Sequence, residues 1–144
     1  MADKVLVVDD EREIRDLLQT SLSAEGYEVV VASNGEEAIG LAKTGNPQVI
    51  LLDIEMPGID GIETCKRLEA DEKTRLIPII MMTSRGDRDI EAYLEGAADV
   101  VNKPFDIVQL AFRVKSMLRV RHLTNELDRA LAYIEELGND LPKA

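Results

Sequence analysis

The chain has 144 residues, enough for one full core and too few for two comfortable ones. A formal charge of −11, aromatics at 3% and the absence of Trp argue against direct nucleic-acid binding, which asks for a basic face and stacking platforms. No long apolar span or signal-like start is present, so a cytoplasmic location without membrane contact is expected, and the lone Cys65 excludes an internal disulfide.

Val5 to Val8 is short and uniformly apolar, the pattern of a strand buried on both faces, and it runs into Asp9-Asp10. A helix follows in which Ile14, Leu17, Leu18 and Leu22 recur at three- and four-residue spacing, so these four are expected to face the core, with Gly26 closing it. Tyr27 to Val31 reads as a second strand. Ser33 or Asn34 then caps a helix, with a Glu three residues on, that packs through Ala38, Ile39 and Ala42 and stops at Gly45-Asn46-Pro47.

Val49 to Leu52 is again too short and too uniformly apolar for an amphipathic helix, reads as a strand buried on both faces, and ends on Asp53. Met56-Pro57-Gly58 and Asp60-Gly61 hold the chain in a loop before a helix around Ile62 to Ala70, with Leu68 inward and Cys65 buried or half-buried. Asp71 to Arg75 is a charged connection. The run Pro78 to Met82 ends on Thr83-Ser84, and Gly86-Asp87 introduces a helix carrying Ile90, Tyr93 and Leu94, closed by Gly96. A short strand at Asp99 to Val101 leads into Asn102-Lys103-Pro104.

Five alternations of strand and helix predict an α/β fold, a doubly wound parallel sheet covered on both faces. For so small a chain the flavodoxin-like (βα)5 order 2-1-3-4-5 is expected, with the switch point between strands one and three. Asp9, Asp10 and Asp53 then meet at that crevice, with Thr83 and Lys103 along the same edge.

From Ile107 to Leu137 there is neither Pro nor Gly, so one continuous helix of roughly 45 Å is expected at the usual rise per residue. Leu110, Val114 and Met117 dock its first half, and Val120, Leu123, Leu127, Ala130, Ile134 and Leu137 form a heptad seam with nothing left in the domain to cover it. The organisation expected is a domain over 3–120, a heptad-patterned helical extension over 121–138 for dimerisation or signalling, and a disordered tail over 139–144. Arg113, Lys115, Arg119 and Arg121 make the start of the long helix locally basic, and His122 is read as surface or flanking the seam.

Carboxylates gathered at a strand edge repel one another unless a cation sits among them, and all-oxygen ligands favour Mg2+, with Mn2+ as the substitute. With the metal present Asp53 can attack phosphorus and become an aspartyl phosphate, while the Lys103 ammonium and the Thr83 hydroxyl contact the phosphoryl oxygens. Pro104 is a candidate for a cis peptide bond.

The Asp9-Asp10 pair, Asp53 with Met56-Pro57-Gly58 and Asp60-Gly61, Thr83, and Lys103-Pro104-Phe105 together resemble the receiver domain of two-component response regulators, over about residues 3 to 120. The resemblance implies Asp53 as phosphoacceptor and Asp10 as metal ligand with Asp9 assisting. It also implies the backbone carbonyl of Glu55 as a further ligand, Thr83 as switch hydroxyl and Lys103 as its cationic partner. Glu55 and Arg85 resemble positions that tune phosphoryl lifetime, and they could pair across the site mouth. The resemblance further implies a sensor histidine kinase, phosphotransfer protein or small acyl phosphate as donor, self-catalysed dephosphorylation rather than enzyme turnover on a substrate, and a shift of the face made by helix four, strand five and helix five. That shift would serve a homodimer or an output domain beyond the chain. One departure is Val100, where members often carry Tyr or Phe three residues before the lysine.

Three rivals share parts of this pattern. A hydrolase of the haloacid-dehalogenase kind also has an acid two residues after its nucleophile, as in Asp53-Ile54-Glu55, but on its first strand and in a longer chain. An FMN binder would share the topology, yet the acids would repel its phosphate. A pseudo-receiver would use the fold for docking alone.

Overall fold

The computed structural model describes residues 2–140. Its strands are β1 (Lys4–Val8), β2 (Glu28–Ala32), β3 (Val49–Asp53), β4 (Ile79–Thr83) and β5 (Asp99–Asn102). Its helices are α1 (Arg12–Ala24), α2 (Gly35–Gly45), α3 (Gly61–Glu69), α4 (Asp89–Leu94), α5 (Ile107–Val120) and α6 (Glu126–Asp140), with a short 3-10 turn at Gly86–Arg88 before α4. All strand pairs are parallel and the order is β2-β1-β3-β4-β5, the flavodoxin-like arrangement expected from the alternation.

Side chains alternate across the strands, so each strand feeds two cores. Leu6, Ile50, Leu52, Ile79 and Met81 pack with Ala38 and Ala42 of α2, Ile62, Cys65 and Leu68 of α3, and Ala92 of α4. Val5, Val7, Leu51, Ile80 and Met82 pack on the other face with Leu18 and Leu22 of α1 and Leu110, Val114 and Met117 of α5. Burial of one such aliphatic side chain contributes about 1.5–3 kcal/mol, which explains why the uniformly apolar runs settle in the middle of the sheet. Leu17 departs from the expected face. It is 45% exposed because the α1 stripe that meets the sheet is narrowed to Leu18 and Leu22, with Ile14 half-buried.

The caps follow local chemistry. Asn34 accepts from the Glu37 amide at 2.9 Å, and α2 ends on Asn46 in the left-handed region at φ 47°. Asp60 accepts from the Glu63 amide at 2.9 Å and opens α3.

The C-terminal region corrects the expectation of one continuous helix. Helix α5 stops at Val120, a turn closes with the Leu123 amide donating to the Val120 carbonyl at 3.0 Å, and α6 starts afresh at Glu126. Asn125 makes the break without Gly or Pro, because its side chain accepts from the Asp128 amide at 3.0 Å as an N-cap does. Helix α6 then folds back onto the domain, burying Tyr133 and half-burying Ala132 and Leu137 in the second core. The expected seam is thereby split, since Val120, Leu123 and Leu137 pack inward while Leu127 and Ile134 face solvent. A straight coiled-coil stripe from Val120 to Leu137 is absent. Of the tail expected to be disordered over 139–144, residues 139–140 continue α6, and 141–144 lie outside the described residues. No helix among the described residues is long and apolar enough to cross a membrane.

Candidate functional site: an acidic notch at the carboxyl edge of the sheet

Parallel strands with right-handed crossovers deliver the ends of β1, β3, β4 and β5 to one edge, and ladder bonds just past those ends fix the next residues in place. The Asp9 amide donates to the Ala32 carbonyl at 3.2 Å, the Ile54 amide to the Met82 carbonyl at 2.9 Å, and the Lys103 amide to the Thr83 carbonyl at 2.7 Å. The loop after Asp53 is pinned beneath it by the Gly61 amide, which donates to the Ile54 carbonyl at 2.8 Å. A side chain at Gly61 would meet the Asp53 carbonyl oxygen and lie 2.7 Å from the Ile54 Cα, so the close approach requires glycine. The Lys103–Pro104 peptide bond is cis.

Asp9, Asp10 and Asp53 each offer a carboxylate oxygen, and these oxygens lie within 4.8 Å of one another. Asp9 is fully buried, Asp53 is 2% exposed and Asp10 faces solvent. Lys103 reaches into the cluster, with Nζ 2.7 Å from Asp9 Oδ2 and 3.3 Å from Asp53 Oδ1. The second of these is an ion-pair distance only, since Asp53 Oδ1 is buried and meets no donor in hydrogen-bond geometry. Burial pushes the Asp53 carboxyl up to about 7, the Asp9 charge pushes the same way, and Lys103 opposes both.

The donor set fits a hard divalent cation. Three carboxylates of graded exposure, one with an unpartnered oxygen turned into the notch, present the all-oxygen ligands that Mg2+ takes while it keeps several waters.

Thr83 ends β4 with its side chain fully buried, and its hydroxyl engages Glu55 rather than Asp53. It lies 2.9 and 3.0 Å from the two Glu55 carboxylate oxygens and accepts from the Arg85 amide at 2.9 Å. Ser84 adds its amide at 2.8 Å and its hydroxyl at 3.1 Å to the same Glu55 oxygen. The structure therefore brings Asp9, Asp10, Asp53 and Lys103 together and places Thr83 one step aside, tied to Glu55.

The expected pairing of Glu55 with Arg85 is not formed. Arg85 turns to Asp87 at 3.0 Å, and the cation nearest Glu55 is Arg88, at 3.9 Å, which also holds Asp60 at 3.2 Å and Glu91 at 3.3 Å. Sequence reasoning missed Arg88 because its partners lie far apart in the chain and a lone Arg after Gly86-Asp87 carries no periodic signal. It also missed the buried Asp99, which accepts from Tyr133 and from Arg113 at 2.7 Å beneath α6. The spacing of Asp99, Arg113 and Tyr133 announces nothing until the last helix turns back.

Comparison with known proteins agrees with this geometry. The family model for the response regulator receiver domain matches residues 5–115. The response regulator PleD of Caulobacter vibrioides is 42% identical over 142 residues, which is 96% of this chain and 31% of PleD, so the chain spans less than a third of that relative. The receiver domain of a Francisella response regulator superimposes with a TM-score of 0.76 at 34% identity, covering 84% of this chain and 99% of the other. The response regulator TrrA of Thermotoga maritima, crystallised with Mg2+ and a beryllium fluoride, superimposes with a TM-score of 0.71 at 39% identity over 78% of this chain and 96% of TrrA. With the fold, the acidic notch and the family match in agreement, the chain belongs to the response regulator receiver domain family, whose members are phosphoacceptor signalling modules rather than enzymes.

Proposed function

We propose that Asp53 accepts a phosphoryl group in a Mg2+-dependent reaction, and that the fold answers by rearranging around Thr83 and Lys103. A receiver domain implies a histidine kinase as partner, and in this proposal the kinase, a phosphotransfer protein or a small acyl phosphate is the donor. The observation that carries the reading is the buried Asp53 carboxylate with one oxygen unpartnered, flanked by an ammonium at 3.3 Å and two further acids.

Asp10 and Asp53, the backbone carbonyl of Glu55 and, in an assisting role, Asp9 would hold the metal. When bound, Mg2+, or Mn2+ in its place, supplies charge neutralisation for the transferring phosphoryl oxygens. The chain's own residues do the rest. A carboxylate oxygen of Asp53 attacks phosphorus and the bond to the donor's leaving group breaks, leaving an acyl phosphate on Asp53. Lys103, already between Asp9 and Asp53, swings its ammonium toward the new oxygens, a charge-assisted contact.

Thr83 must leave Glu55 to reach the phosphoryl group. In this reading the Glu55–Thr83–Ser84 bonds define the resting state, and the added charge of roughly −1.5 to −2 draws the hydroxyl across. Movement of Thr83 drags the 3-10 turn and α4, because Arg88 ties that turn to Glu55 and Asp60. The readout then passes from α4, β5 and α5 to an output domain or partner, with Glu55 and Arg85 at the mouth setting how long the phosphoryl group survives. The receiver unit is read as 3–120, with 121–138 as an extension that carries the signal onward.

The test is acetyl phosphate with and without Mg2+, followed by intact mass. One hydroxylamine-labile phosphoryl group per chain, lost with EDTA, supports the reading. Continuous phosphomonoester turnover without a stable adduct would favour a hydrolase instead, and no adduct from acetyl phosphate or a kinase would favour a docking-only module.

A further inference from the structure

Acids from three different elements close on Arg88. Its Nε lies 3.3 Å from Glu91 Oε2 on α4, its Nη2 3.2 Å from Asp60 Oδ2 at the N-cap of α3, and its Nη1 3.9 Å from Glu55 Oε2 in the loop after β3. Its side chain is only 18% exposed, against 60% for Arg85, so this arginine is packed into its setting where the other is a surface group. Arg88 ends the 3-10 turn that follows Thr83, and its amide donates to the Arg85 carbonyl at 3.1 Å, which fixes the point from which the guanidinium reaches the mouth of the notch.

The donors of that guanidinium are unevenly used. An arginine offers five N–H groups in a planar fork. Nε and Nη2 donate to Glu91 and Asp60, whereas among the described residues Nη1 is in no hydrogen bond, and Nη1 is the nitrogen that faces Glu55. The Glu55 carboxylate is uneven in the complementary way. Its Oε1 has the Ser84 amide at 2.8 Å and the Ser84 hydroxyl at 3.1 Å, while among the described residues the Thr83 hydroxyl, at 2.9 Å, is the one hydrogen-bond partner of Oε2. When Thr83 turns to the phosphoryl group, Oε2 loses that donor as new negative charge arrives on Asp53, and a half-buried carboxylate stripped of a partner is costly. Lys103 is committed to Asp9 and Asp53, and Arg85 to Asp87. A shift of about 1 Å would bring Nη1 and Oε2 from their present separation to a charge-assisted hydrogen bond. A brace between α3 and α4 would need only Asp60 and Glu91, and would leave the spare Nη1 toward Glu55 without a purpose.

We propose that Arg88 is a positioning residue for the phosphoryl switch: its Nη1 receives Glu55 as Thr83 leaves, and so keeps the switched state populated. The proposal rests on Asp53 as phosphoacceptor and adds to it the place where the displaced Glu55 goes.

The test is a beryllofluoride titration at saturating Mg2+, followed by amide NMR of the full chain, for the parent, Arg88→Gln, Glu55→Ala and the double variant. Arg88→Gln is expected to weaken beryllofluoride binding about fivefold or more, because a Glu55 carboxylate with nowhere to go competes for Thr83 and Ser84. In the Glu55→Ala background the same substitution is expected to change affinity by less than about twofold, since no carboxylate remains to be received. A loss of equal size in both backgrounds overturns the proposal in favour of a brace, or of a general attraction between the guanidinium and the anion, neither of which needs Glu55. Arg88→Gln binding as tightly as the parent overturns it too. A parent that binds no beryllofluoride overturns the phosphoacceptor role of Asp53 and this proposal with it, an outcome separate from the other two. Should Arg88→Gln lose its native circular dichroism, Arg88→Lys, whose single ammonium cannot hold Asp60, Glu91 and Glu55 together, goes through the same cycle, with a loss of about threefold expected when Glu55 is present and less than about twofold when it is not.

Discussion

Lys103 Nζ stands 3.3 Å from Asp53 Oδ1 although their strands, β5 and β3, are separated in the sheet by β4. The ammonium spans that gap because β5 ends level with Thr83, which sets Lys103 one step beyond it, and it is held by its 2.7 Å contact with the fully buried Asp9. Replacing Lys103 with Ala leaves two buried carboxylates without their cation. A loss of about 2 kcal/mol at pH 7 is expected, below the usual range for a broken buried pair because Lys103 is itself partly solvated. Mg2+ should recover part of that loss by binding the folded state, read as a Mg2+-dependent rise in the urea midpoint larger than in the parent. A variant as stable as the parent in EDTA would contradict the arrangement.

Thr83→Ala removes the hydroxyl bonded to Glu55 and costs about 1 kcal/mol of stability. Labelling of Asp53 by acetyl phosphate is expected to persist, while beryllofluoride-induced amide shifts in α4 shrink. Full-sized shifts in the variant would show that the hydroxyl does not relay the change.

Tyr133→Phe deletes the hydroxyl that donates to buried Asp99, leaving Arg113 at 2.7 Å and the Val100 amide at 2.8 Å as its close partners. A hydrogen bond to a charged acceptor contributes about 1.5–3 kcal/mol, so α6 should open more often. Amide exchange over residues 126–138 is expected to accelerate about tenfold or more, with β1 and β3 unchanged. Equal exchange would mean that α6 is held by apolar contacts alone.

Glu69 gives the chain a pH signature away from the notch. Burial, then the charge of Glu126 on α6, pushes its carboxyl up to about 7 from an ordinary 4.5, while Arg129 opposes; Gly96 packs against the same carboxyl. The folded chain therefore keeps a proton that the unfolded chain has lost, and stability from this group falls as pH rises from near 4.5 through 7. Glu69→Gln should be more stable than the parent at pH 8 by about 1 kcal/mol, a figure reduced for solvent screening of a half-exposed group. Urea midpoints at pH 5 and pH 8 check it, and an unchanged difference between the two proteins would reject it.

The sheet order and the convergence of Asp9, Asp10, Asp53, Thr83 and Lys103 on one edge were legible because buried parallel strands write themselves as apolar runs, and the polar residue at the end of each run must emerge on the same side. The path after Val120 was not legible. Periodicity continues smoothly through Leu123 and Leu127, and a helix broken by a capping Asn125 differs from an unbroken one only in whether Tyr133 finds Asp99. Thr83's resting partner was hidden for a related reason, since whether its hydroxyl turns to Glu55 or Asp53 is a rotamer choice settled by neighbours such as Ser84 and Arg85.

The role assigned to Asp53 is tested most directly by peptide mapping after acetyl phosphate and Mg2+, with the Asp53→Asn variant in parallel. One phosphoryl group on the peptide containing Asp53 in the parent, and none on the variant, is the expected result. An equal phosphoryl gain on Asp53→Asn, or a modified peptide that lacks Asp53, would contradict it.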